Sequence, residues 1–311
     1  MKLQDIIRNV SGYENFVLYD TAAYTDMWQG WYKGKVDKFH SYNIYNGKKT
    51  IHMDRLSLGM AKKVCEDWAN LLVNEKTDIV LSTETAQQTL NKVLRDCRFW
   101  QKANAGVELS FALGMGAFVV SVDNLITDDE GNLLAQNGRA NVSFINGTKI
   151  KPITFEDGQI TECAFINVGN RKTNISIHLK DENGIYKIHN IVADGDTEDN
   201  LSYFDDDYYV FDTKSSLPWF AFIKPNIANN IDINSPMGIS IFANQIDTLK
   251  EIDLVFDSFA DEFMLGKKRI FINASQMTVD TKTGETIEVF DSNDVAFYVL
   301  PEASTVRVAV L

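Results

Sequence analysis

Between residues 123 and 225 the chain is punctuated by turn signals: Asp129-Glu130-Gly131-Asn132, Asn146-Gly147, Asp157-Gly158, Gly169-Asn170 and Asn183-Gly184. They recur about every 11–15 residues. Asn-Gly and Asp-Gly pairs supply the positive φ angles that tight hairpin turns require. The segments between them alternate in polarity. Ile175, Ile177 and Leu179 point one way, and Asn174, Ser176 and His178 the other, which is the period of a strand with one buried face. This pattern predicts an antiparallel sheet joined by short hairpins. Acidic residues gather at Asp194–Asp199 and Asp205–Asp207, flanking an aromatic strand at Tyr208–Phe211. Pro218 and Pro225 bracket a second aromatic strand, Trp219–Ile223.

The residues before the sheet read as helical. Met1–Val10 is short and amphipathic, with Lys2, Asp5 and Arg8 in place of the apolar run of a secretion signal. Asp20–Trp31 is an aromatic-rich helix candidate. An aromatic and basic stretch follows, turning at Asn46-Gly47. Ser57 is a candidate cap for a helix running to about Asn74, with Leu58, Ala61, Cys65, Trp68 and Leu72 in one stripe. Ile79-Val80-Leu81 is a short strand candidate. Ser82 or Thr83 would cap a second helix that buries Leu90, Val93, Leu94, Cys97 and Trp100. A third runs from about Gln101 to Leu113. Gly114 and Gly116 break it, and Ala117–Val122 becomes a strand.

The texture changes again at Ser235-Pro236. Phe242, Ile246, Leu249, Ile252, Phe256 and Phe259 recur in steps of three and four, and form the expected packing face of one long helix over 236–266. Asp247, Lys250, Glu251, Asp257 and Asp261 occupy the opposite face. Strand candidates follow at Ile270–Asn273, Thr286–Phe290 and Ala296–Leu300, with a turn at Thr283-Gly284. The fold class expected is therefore α+β. A helical part reaches about residue 115, an antiparallel sheet spans about 116–225, a long helix covers 236–266, and a strand-rich piece occupies 267–311.

Composition narrows the function classes. With 45% hydrophobic and 23% charged residues the chain falls in the globular range. Leu109–Val122 is too short for a membrane span and is interrupted by two glycines. Cys65, Cys97 and Cys163 are far apart and odd in number, so free reduced thiols are expected. Acids outnumber bases 43 to 30, which opposes an ordinary grip on nucleic acid, where lysine and arginine neutralise phosphates. The net charge of −13 fits simple solubility better than a conduit that lets DNA slide by repelling it, and charge alone does not choose between the two.

Catalytic patterns are missing. Gly114-Met115-Gly116 precedes a strand, the reverse of the order a dinucleotide fold needs. No two histidines have zinc-protease spacing. His178 and His189 would approach across a hairpin, and polar strand positions account for them better than a metal site. The Asp205-Asp206-Asp207 run beside Tyr208, Tyr209 and Trp219 is the one pattern compatible with a carbohydrate-active enzyme. Neighbouring acids on a strand point in different directions, however, so no catalytic, cofactor-binding or metal-ligating residue is assigned.

Four blocks carry a resemblance. They are WYxGxVxxFHxYxxYNG at 31–47, SLGMAKxVCEDWANLLxNE at 57–75, FALGMGAFVVSVD at 111–123, and SPMGISIFANQIDTLKEIDLVFDSFADEF at 235–263. In order and in residue type they resemble the portal proteins of tailed bacteriophages, of the kind found in phages and prophages of Gram-positive bacteria. The resemblance implies a structural subunit and no enzyme: a dodecameric ring at one capsid vertex, the head–tail connector. Double-stranded DNA would pass through it without sequence-specific binding during packaging and ejection. Implied partners are the terminase, scaffolding or capsid proteins and head-completion proteins, with no membrane and no cofactor. The implied location is the virion, and the host cytoplasm during assembly. Residues 1–235 would be the wing, 236–266 the helix leading into the stem, and 267–311 an incomplete clip. Asp247, Glu251, Asp257 and Asp261 would face the channel or a neighbouring subunit. Portals of this kind continue past the position of Leu311, so the resemblance also implies a chain lacking the returning stem helix and the crown, with part of the ring contact. A tail or baseplate component is the other structural reading.

Overall fold

The computed structural model describes residues 2–13, 22–45, 47–74, 77–123, 126–127, 133–134, 138–169, 172–195, 200–203, 208–265, 269–273, 278–279, 286–287 and 296–300. The chain forms two compact units, Met1–Lys250 and Glu251–Leu311.

In the first unit the turn-rich region builds two sheets. β7 (Ile150–Glu156), β8 (Gln159–Val168), β9 (Lys172–Lys180), β10 (Tyr186–Asp194) and β11 (Tyr208–Asp212) form an antiparallel meander in sequence order. Asp157 and Gly158, at φ 50 and 73, make the tight β7–β8 turn. The Asp181 carboxylate accepts the N–H groups of Asn183 and Ile185 and shapes the β9–β10 turn, with Gly184 at φ 77. Asn146-Gly147 is not a hairpin turn, contrary to the sequence expectation. It carries the chain from one sheet to the other. A side chain on Gly147 would come within 2.6 Å of the Met115 carbonyl. The second sheet has the order β12 (Phe220–Ile223), β3 (Gly116–Asp123), β6 (Arg139–Asn146). A small pair, β4 (Ile126–Thr127) with β5 (Leu133–Leu134), lies in the β3–β6 connection.

The meander is covered on both faces. On one, Ile166, Ile175, Ile177 and Ile191 pack with Leu3, Ile6 and Ile7 of α1 (Leu3–Ser11). The i, i+3, i+4 spacing of those three α1 residues puts them on one side of the helix. On the other face, Cys163, Phe165 and Tyr186 meet Ala117, Val119 and Phe220 of the second sheet. This corrects the polar reading of His178. It is fully buried, edge-on to Phe165 and Phe220 at 5.2 and 5.4 Å. Strand alternation predicted the face of His178 correctly and its solvent exposure incorrectly, because a second sheet covers that face. His189 pairs with Ile177 while His178 pairs with Ile188, so the two imidazoles lie on opposite faces.

The far side of the second sheet takes the helices. α5 (Phe99–Leu113) lies on it, with Gly106 against the Phe144 ring, which leaves no room for a Cβ. Around α5 pack α2 (Ala22–Lys33), α3 (Met60–Leu72) and α4 (Glu84–Asp96). Trp28, Trp31, Ala61, Cys65, Val107 and Phe111 share their core. The α3 stripe differs from expectation. Its buried line is Ala61, Cys65 and Ala69, whereas Leu58, Trp68 and Leu72 are 46, 45 and 47% exposed. Small residues at i, i+4 and i+8 let α3 approach α5 closely, and that turns the large ones outward. Residues 79–81 form no strand. The hairpin of β1 (Ser41–Tyr45) and β2 (Thr50–Asp54) turns where Asn46-Gly47 predicted.

The long helix starts later than expected. Residues 235–242 are not helical, and α6 spans Ile246–Leu265 after a short 3-10 turn. The reason is a close approach. Gly238 passes Gly114 so tightly that a Cβ on Gly238 would lie 2.2 Å from the Gly114 carbonyl oxygen. Gly114 itself sits at φ 84. The Ile241 N–H and the Ser240 hydroxyl both donate to the Phe111 carbonyl, at 2.9 and 3.2 Å, satisfying the end of α5. Two distant sequence blocks, 111–123 and 235–263, thus meet at a pair of glycines.

Among the described residues the second unit contains most of α6 and four short strands. β13 (Arg269–Asn273) pairs in parallel with β16 (Ala296–Leu300), and β14 (Thr278–Val279) pairs with β15 (Thr286–Ile287). Three of these match the predicted strands; of Thr286–Phe290 only Thr286–Ile287 is among the described residues. Asp205–Asp207, Thr283-Gly284 and the residues after Leu300 lie outside the described residues.

Candidate functional site

On α6, Asp247, Glu251 and Asp261 are exposed and Asp257 is half-buried. Lys250 is paired to Asp247 at 2.8 Å, an exposed i, i+3 pair of small energetic consequence. On the apolar side, Phe242 and Leu249 are buried and Ile246 is half-buried in the core of α2, α3 and α5. Phe242 precedes the helix instead of opening it. Ile252 and Phe256 are half-buried. Phe259 is 59% exposed and meets Phe263 edge-on at 4.7 Å. Asp253, which the sequence reading passed over, is a buried acid on the same helix.

A second polar region lies on α2, α3 and α5. Glu108 is the one acid in α5. Its carboxylate accepts the Tyr32 hydroxyl and the Lys62 ammonium, the latter at 2.8 Å. Burial works against the charged form of Glu108. The donors Lys62 and Tyr32 outweigh it and hold the carboxyl below its ordinary range. Burial and the Glu108 charge push the neighbouring Cys65 thiol up to about 12. That thiol is inert at neutral pH. The trio therefore clamps three helices and offers no nucleophile. The signal in the sequence was a lone acid in an apolar helix.

Beside this clamp an open groove of about 660 Å³ is lined by Lys33, Arg55, Leu56, Leu58, Lys62 and Lys63, among others. Arg55 anchors the base of the β1–β2 hairpin. Its guanidinium donates to the Phe39 carbonyl at 2.6 Å and lies over the Phe39 and Tyr42 rings at 4.4 and 4.7 Å. Among the described residues no group of three or more His, Cys, Asp or Glu is arranged to hold a metal ion. No described helix is long and apolar enough to cross a membrane. All three cysteines are free and buried.

What the two regions share is surface rather than reactive chemistry: an exposed acidic helix face in one, and a basic, partly apolar groove and hairpin in the other. Residues 20–306 match the family described as phage portal protein, SPP1 Gp6-like. No curated protein matches the chain.

Proposed function

The chain belongs to the phage portal protein family, SPP1 Gp6-like, and from that premise we propose that it is the repeating subunit of the ring through which viral DNA enters and leaves the capsid. The observation that carries this reading is the family match, which runs through both compact units. Residues 1–235 act as the wing, α6 leads toward the stem, and the strands after it belong to the clip. The role is mechanical. ATP hydrolysis belongs to a terminase docked on the ring, and head-completion proteins replace the terminase after packaging.

Within that ring the exposed acids Asp247, Glu251 and Asp261, with the half-buried Asp257, face the channel or the adjacent subunit. A wall of carboxylates repels DNA phosphates and keeps the duplex sliding. Phe242, Ile246 and Leu249 seat the start of the helix. Ile252, Phe256 and Phe259 continue that apolar side. Deleting the gene from the phage or prophage that carries it is expected to give heads without DNA. Filled, infectious heads from the deletion would overturn the reading. Lysine at Asp247, Glu251 and Asp261 together is expected to slow packaging, and unchanged packaging would remove these acids from the channel.

A further inference from the structure

The β1–β2 hairpin and the far end of α3 have the properties of two halves of one contact. The hairpin is a lone two-stranded ribbon, a structure that is marginal in water unless something packs on it. Almost every hairpin position is exposed, and Ile44, Tyr45 and Met53 are 46, 68 and 38% accessible. The stretch from Lys33 to Lys63 holds eight bases against two acids, +6 in a chain of −13. Exposed aromatic and methionine side chains are the mark of a protein contact, whereas a DNA interface is more polar.

The other end of α3 has the opposite character. Leu71, Leu72 and Val80 are 66, 47 and 79% exposed. Segment 77–83 is held beside them, because the Thr77 hydroxyl donates to the Leu72 carbonyl and Gln87 bonds to both Ile79 and Leu81. Between Leu71 and Glu84 three acids stand against one base.

We infer that the basic, apolar β1–β2 hairpin of one copy docks on the acidic, apolar surface of a second copy formed by Leu71, Leu72 and segment 77–83. The two surfaces lie at opposite ends of α3, separated by about 20 Å for a 13-residue helix. Different patches meeting head to tail generate a ring where the rotation closes, whereas a patch meeting itself stops at a dimer. The inference rests on the portal reading, and names the wing contact that closes the ring.

The test is a cysteine pair, Tyr45→Cys with Val80→Cys, in the complete protein made during phage assembly. Both positions are exposed, and the native thiols are buried. Mild oxidation of assembled particles is expected to give a ladder of dimers, trimers and larger species, absent from either single variant. In parallel, Lys48→Glu/Lys49→Glu is expected to weaken assembly about tenfold or more, and Asp78→Lys/Glu84→Lys likewise, with the combined variant restored. Particles that contain the chain but yield no cross-link, or only dimer, overturn the inference and leave the portal reading standing. Charge reversals that spare assembly but reduce retained DNA overturn it too, by assigning the hairpin to nucleic acid. Absence of the unsubstituted chain from particles overturns both.

Discussion

The five-stranded meander and the two-stranded hairpin are made of the same kind of strand and differ in what covers them. Each face of the meander has its own lid, α1 on one side and the second sheet on the other. Arg55 anchors the hairpin at its base. Burial of an Ile or Phe contributes roughly 1.5–3 kcal/mol, so a row of fully buried isoleucines makes the meander self-sufficient. Tyr45, 68% exposed, contributes little of that kind within one chain. A strand pair this exposed, apolar and basic, fits the docking role we infer for it.

The largest effect is expected in the core. Ile177→Ala is expected to cost about 2–5 kcal/mol, read as a lower urea midpoint, because Ile177 is fully buried between β9 and α1. A loss under about 1 kcal/mol would show that the lid of α1 is loose. Close behind comes the glycine crossing. Gly238→Ala is expected to destabilise by about 2–4 kcal/mol, since its Cβ would meet the Gly114 carbonyl at 2.2 Å. Wild-type thermal stability in that variant would mean that residues 235–242 can move away from α5.

These two positions differ in how visible they were. Ile177 was legible, because alternation alone puts it with Ile175 and Leu179. The glycine crossing was not, since nothing local in Ser235-Pro236-Met237-Gly238 tells a helix start from a chain passing over another helix end. The same limit explains His178 and the α3 stripe. A period reports which residues share a face, but what covers that face is a long-range fact. Trp68 and Leu72 keep helical spacing and stay exposed because Ala61, Cys65 and Ala69 are the residues that fit against α5. Of the candidate site, the acids of α6 were legible as a face. The Tyr32–Glu108–Lys62 clamp joins residues 76 and 46 positions apart and left only the lone acid of α5 as a trace.

Acid sharpens the comparison more gently. Burial, helped by the nearby His189, lowers the His178 pKa from 6.5 to about 3, and its Nδ1 finds no hydrogen-bond partner among the described residues. Native His178 stays neutral while the unfolded chain takes up a proton below 6.5. Stability is therefore full above pH 6.5 and falls by about 1.4 kcal/mol per pH unit down to about 3 from this group. His178→Phe is expected to flatten that limb of the stability–pH curve. An unchanged slope would assign the acid sensitivity to other groups. The smallest effect belongs to the hairpin. Tyr45→Ala is expected to shift the stability of an isolated chain by no more than about 0.5 kcal/mol, while reducing assembly. A large loss in the isolated chain would mean that the hairpin belongs to the core after all.

The most direct measurement is an electron cryo-microscopy reconstruction of the capsid vertex of the phage that carries this gene, made without icosahedral symmetry. The account predicts a closed ring of copies of this chain, with Tyr45 of each subunit against Leu71 and Val80 of the next. A vertex without this chain, or a ring in which every β1–β2 hairpin stands free in solvent, would contradict it.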